Sequence, residues 1–103
     1  MPNYVFAYQG GKKPETPEAG EKVIAAWNAW FADMGPAVAD PGHPVGLSKT
    51  VSAAGIADDG GSNPLSGLSV VEAEDIGVAA DLAKGCPIIA DGGSIEIAEV
   101  LAM

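Results

Sequence analysis

His43 is the one imidazole in the chain, and it stands in the run Asp40-Pro41-Gly42-His43-Pro44. Imidazole exchanges protons near neutral pH. Paired with Asp59, or with its neighbour Asp58, His43 would make a general base with an orienting carboxylate, so His43 and Asp59 are the catalytic candidates. The two acids, with Ser62 and Asn63, also present four oxygen-bearing side chains. They lack the alternating positions and distal glutamate of a calcium loop, so an ordinary turn and no metal are expected. Gly60-Gly61 and Gly92-Gly93 lack the lysine and hydroxyl spacing of a phosphate cradle, and no cofactor is implied. Ser48-Lys49 and Ser66 read as strand-start residues before they read as a polar catalytic group. Cys86 has no second cysteine for a disulfide or thiolate metal site, and between Gly85 and Pro87 it is expected to be a buried, small apolar residue.

A second kind of chemistry lies in the aromatics. Trp27, Trp30 and Phe31 either fill a core or line a ligand cavity between helix and sheet, with Tyr4 or Tyr8 adding hydroxyls. The ligand-binding candidates are Tyr8, Trp27, Lys49 and Asp58.

These residues need elements to position them. Tyr4 to Gln9 is an aromatic and β-branched run that places Tyr4, Phe6 and Tyr8 on one face of a first strand. Gly10-Gly11 ends it, and Lys12-Lys13-Pro14-Glu15 forms a polar loop. Thr16-Pro17 is a helix start, with Thr16 as cap and Glu18 and Glu21 in the first turns. Val23, Ile24, Trp27, Trp30, Phe31 and Met34 recur at the helical period, and Gly35-Pro36 closes the helix. Asp40 to Pro44 is turn chemistry, read as an irregular loop. Lys49 to Ser52 is then the second strand, Gly55-Ile56-Ala57 a minor one, and Asp58 to Pro64 the main exposed loop. Leu68 to Ala73 forms a strand, Glu74-Asp75 opens a helix from Ile76 to Ala83 that Gly85 and Pro87 end, and Ser94 to Ile97 supplies the last strand. The order β-α-β-β-α-β predicts an α+β fold, a ferredoxin-like sandwich with both helices on one sheet face. A second apolar set, Val5, Ala7, Val71, Ala73 and Val100, is expected on the other face, where a second sheet would cover it in a homodimer.

The chain's 103 residues suit one domain, 1–103, and 48% hydrophobic against 18% charged residues is the composition of a folded globule. Fourteen acidic against five basic residues leave a net charge of −9. That charge repels nucleic acid and anionic membranes and favours neutral or cationic partners. Met1-Pro2-Asn3-Tyr4-Val5 has no basic segment followed by an apolar run, and no stretch approaches the ~20 apolar residues of a membrane span, so a cytoplasmic protein is expected.

Ala57-Asp58-Asp59-Gly60-Gly61, Leu65 to Ala73, Leu82-Ala83-Lys84-Gly85-Cys86-Pro87 and Gly92-Gly93-Ser94-Ile95-Glu96-Ile97 together resemble the YCII-related (DGPF) family. The likeness extends over Tyr4 to Gly10 and Glu18 to Met34. It implies a dimeric α+β barrel and a histidine–aspartate pair in a pocket beside the sheet. Asp59-Gly60-Gly61-Ser62 stands where the family has Asp-Gly-Pro-Phe, and Trp27 where many members carry a histidine. Three readings follow: a dimer that binds a small organic molecule, an acid–base enzyme of lyase, isomerase or cofactor-free oxygenase type using His43 and Asp59, and a protein-interaction module.

Overall fold

The alternation in the first strand decides which way the sheet faces. The computed structural model describes residues 1–11, 14–59 and 64–101. Strand β1 (Asn3–Gln9) buries Tyr4, Phe6 and Tyr8 to 2%, 0% and 4% exposure and leaves Val5 and Ala7 half-buried on the opposite face. β1 pairs antiparallel with β5 (Leu65–Glu72) on one side and β6 (Ser94–Glu99) on the other. β2 (Val38–Pro44) pairs antiparallel with the far edge of β5, which gives the strand order β2-β5-β1-β6. Helix α1 (Pro17–Met34), helix α2 (Ile76–Ala83) and the short helix α3 (Pro87–Ala90) pack on the tyrosine face. The result is an α+β domain with an antiparallel sheet. It is only 18 Å thick, which leaves room for two layers and none for a third.

The helix boundaries follow from local chemistry. The Thr16 hydroxyl accepts from the Ala19 N–H at 3.0 Å, satisfying an amide that the first turn leaves without a partner, and Pro17 needs no donor at that position. Gly35 ends α1 at φ 55°, with its N–H on the Phe31 carbonyl. Asp75 caps α2 through a 2.9 Å bond from the Val78 N–H. Pro87 does not merely stop the chain after α2, because it opens α3 at the position where a proline costs no hydrogen bond. Trp30 and Met34 are buried beneath α1, whereas Ile24 is 63% exposed, so the apolar stripe is narrower than its sequence period implies.

Two expectations need correction. Asp40 to Pro44 is not a loop: it belongs to β2, and the place expected for Lys49–Ser52 in the main sheet is taken by Val38–Pro44. Instead β3 (Thr50–Ser52) pairs with β4 (Gly55–Ala57) in a separate exposed hairpin. A strand holding Pro41 and Pro44 survives because it lies at the sheet edge and is bulged, with the register shifting between Asp40 and His43. Gly42 is essential to that bulge. Its φ is 71°, and a Cβ there would fall 1.7 Å from the Leu68 carbonyl oxygen. The second correction concerns the open face. Val71 is fully buried and Ala73 is 3% exposed, both in the helix-side core, because Val71 pairs with Tyr4 and cross-strand partners share a face. The open face instead carries Val5 opposite Val70 and Ala98, and Ala7 opposite Leu68.

Gly42→Ala is expected to destabilise the fold by about 3 kcal/mol in urea unfolding, since strain and clash act together. Gly46→Ala, with nothing near its Cβ position and no positive φ, should change stability by less than about 0.5 kcal/mol.

Candidate functional site

The bulged edge strand stands off from α1 and leaves a cleft of about 450 Å³. Trp27 and Phe31 of α1 form one wall, β2 from Pro41 to Pro44 forms another, and Tyr8, Gly67 and Ser69 lie along the sheet between them. Gly67 permits the close approach, because a Cβ there would meet the His43 carbonyl oxygen at 3.0 Å and the Tyr8 ring at 3.5 Å. The aromatics brace one another. Tyr8 meets Trp27 edge-on at 4.9 Å between centroids, and Trp27 lies 6.0 Å from Phe31. Behind them the indole N–H of Trp30 donates to the Leu82 carbonyl at 3.0 Å, tying α1 to α2.

The polar floor is a short relay. The Tyr8 hydroxyl donates to Ser69 Oγ at 2.9 Å, and Ser69 donates to the Pro41 carbonyl at 2.7 Å. The direction is forced, since a carbonyl only accepts and serine has one proton to give. Ser69 is 1% exposed, and its hydroxyl meets a carbonyl on the bulged strand. Burial pushes the Tyr8 phenol up to about 12, against a partial offset from its bond to Ser69.

The candidate residues separate into two groups. Tyr8, Trp27 and His43 come together on this cleft. Lys49 and Asp58 form an exposed ion pair at 3.1 Å beside the β3–β4 hairpin, outside the cleft. The Asp59 carbonyl accepts from the Thr50 hydroxyl at 2.9 Å in that same region. Among the described residues no hydrogen bond or ion pair joins His43 to Asp58 or Asp59. Ser62 and Asn63, part of the cation reading, lie outside the described residues, as do Gly60 and Gly61. Among the described residues no three His, Cys, Asp or Glu side chains converge to hold a metal ion. Cys86 is buried at 3% exposure, and burial pushes its thiol up to about 11.

Ser69 is the site residue that reading the sequence missed. The two-residue period puts Ser69 on the same face as Val71, but only the pairing of Val71 with Tyr4 shows that this face is the core, where a hydroxyl needs a buried partner. A broader hollow of about 560 Å³ lies between α1 and the Gly85–Asp91 segment, but its polar side chains are Lys22, Asp33 and Asp91, with no buried relay. The 450 Å³ cleft, within the roughly 300–1,000 Å³ of small-molecule sites, is the better candidate.

No protein-family model, curated protein or solved structure matches the chain. Among the described residues, no helix is long and apolar enough to cross a membrane.

Tyr8→Phe is expected to cost about 1 kcal/mol of stability near neutral pH. An unfolded tyrosine ionises near 10.0 and Tyr8 in the fold near about 12. Its contribution is therefore complete below pH 10 and lost as pH rises through 12. Comparing urea unfolding of the two proteins across this range should show the gap between them narrowing as pH rises.

Proposed function

We propose that this protein is a small-molecule-binding domain whose ligand occupies the cleft between α1 and β2. The observation that carries the reading is the coincidence of an aromatic wall with a Tyr8–Ser69–Pro41 hydrogen-bond relay at the floor of a cavity of about 450 Å³. Apolar walls supply affinity through burial, and a few fixed polar atoms supply orientation.

The proposal extends to architecture. The order β2-β5-β1-β6 supports a ferredoxin-like arrangement, the arrangement that kinship with the YCII-related family would imply. In that arrangement the open face of one sheet packs on the same face of a second copy. Val5, Val70, Ala7, Leu68 and Ala98 form its apolar centre, and Leu68 is 39% exposed in the single chain. A two-layer domain of this size buries little core of its own, and a shared interior would add to it. The face is one surface meeting its copy about a two-fold axis.

Two measurements test the reading. Quenching of tryptophan fluorescence by 2-phenylethanol should saturate, and Trp27→Ala should weaken that binding roughly thirtyfold, the equivalent of about 2 kcal/mol of lost aromatic burial. Quenching that never saturates, or that Trp27→Ala leaves intact, contradicts a ligand in this cleft. Light scattering should give twice the chain mass, and Val70→Lys should return a folded monomer. A monomeric parent protein rules out the shared sheet.

A further inference from the structure

The hydroxyl relay at the floor of the cleft has a chemical polarity. Ser69 holds one hydroxyl proton, and that proton is committed to the Pro41 carbonyl. The Tyr8 proton is therefore the one in the Tyr8–Ser69 bond. With both protons engaged inside the protein, the two oxygens have only lone pairs left to offer a guest. Tyr8 keeps this polarity over the ordinary pH range, because its proton is held until about pH 12.

The walls agree with the floor. Tyr8, Trp27 and Phe31 line it with aromatic rings, and the quadrupole of a ring face attracts cations. Among the described residues lining the cleft there is no lysine; beside Tyr8 and Ser69, the side chains there that both donate and accept are Asn28, His43 and Ser66, whose hydroxyl proton goes to the Gly10 carbonyl at 2.8 Å. The chain contains no arginine, the side chain whose fork matches carboxylate and phosphate, and its net charge is −9. An anion in this cleft would meet oxygen lone pairs and a repulsive field, whereas a cation with donors to give meets acceptors, ring faces and an attractive one.

From this geometry we infer that the ligand of the cleft is an organic ammonium ion: a protonated amine on an apolar, aromatic-sized body. Its ring or chain lies against Trp27 and Phe31, and its N–H groups donate to Tyr8 Oη and Ser69 Oγ. The inference rests on the binding function proposed above and adds the charge of the ligand.

The test uses three probes of similar shape and different charge: phenethylammonium, 2-phenylethanol and 3-phenylpropionate. Binding to the intact protein is followed by tryptophan fluorescence and calorimetry at about pH 8.5, where an alkylamine is still protonated. The expected order is cation, then neutral alcohol, then anion, with the cation at least tenfold tighter than the alcohol. Raising the salt from about 0.05 M to about 0.5 M screens the long-range field and should leave most of that preference, because it arises from contacts inside the cleft. Tyr8→Phe, checked for folding by circular dichroism, should reduce the preference for cation over alcohol severalfold while changing alcohol affinity little. Equal binding of all three probes overturns the ammonium inference and leaves the binding site standing, as does a preference that vanishes in high salt. If none of the three binds, the binding function fails with it.

Discussion

A buried serine hydroxyl holds the edge of this sheet in place. β2 carries two prolines and a bulge, so its ladder to β5 is interrupted where regular pairing would otherwise hold it. Ser69 on β5 reaches across that interruption to the Pro41 carbonyl and is itself held by Tyr8 on β1. Three strands thus meet at one oxygen. The bulge leaves space beside α1, Gly67 lets the strand come close to Tyr8, and the space becomes a cleft whose floor is the relay that fixes its wall. Removing the partner of a buried hydroxyl costs more than the modest net value of the bond, so stability and site geometry are coupled there.

Much of the architecture was legible in the sequence because its signals were local. The tyrosine and phenylalanine alternation of β1, the Thr16-Pro17 start and Gly35-Pro36 end of α1, and the Asp75 cap of α2 each depend on a few neighbouring residues. β2 was not legible. Asp40-Pro41-Gly42-His43-Pro44 has the composition of a turn, and only a partner across the sheet makes it an edge strand: the Ser69 hydroxyl bonds the Pro41 carbonyl where the bulge interrupts the ladder. The Thr50–Ala57 hairpin shows the converse. Its residues have strand propensity and do pair, but Val51 and Ile56 remain 74% and 70% exposed because none of the described residues covers them.

The site divides along the same line. Tyr8 and Trp27 were recognisable because face and period follow from spacing, and they do meet at the cleft. Lys49 and Asp58 also meet, but as an exposed surface pair, the kind of contact that contributes little. Their separation from the aromatic cleft could not be read from the sequence, because it depends on which of two candidate strands joins the main sheet. Ser69 was not legible either, because its place among core side chains depends on the register that sets Val71 opposite Tyr4.

The most direct test of the cleft as a binding site is a crystal structure of the protein grown with phenethylammonium. The probe's ring is expected against Trp27 and its nitrogen within about 3 Å of Tyr8 Oη or Ser69 Oγ, with Ser69 still bonded to the Pro41 carbonyl. A cleft that stays empty while the probe sits elsewhere, or a Ser69 hydroxyl that leaves Pro41 to donate to the guest, would contradict it.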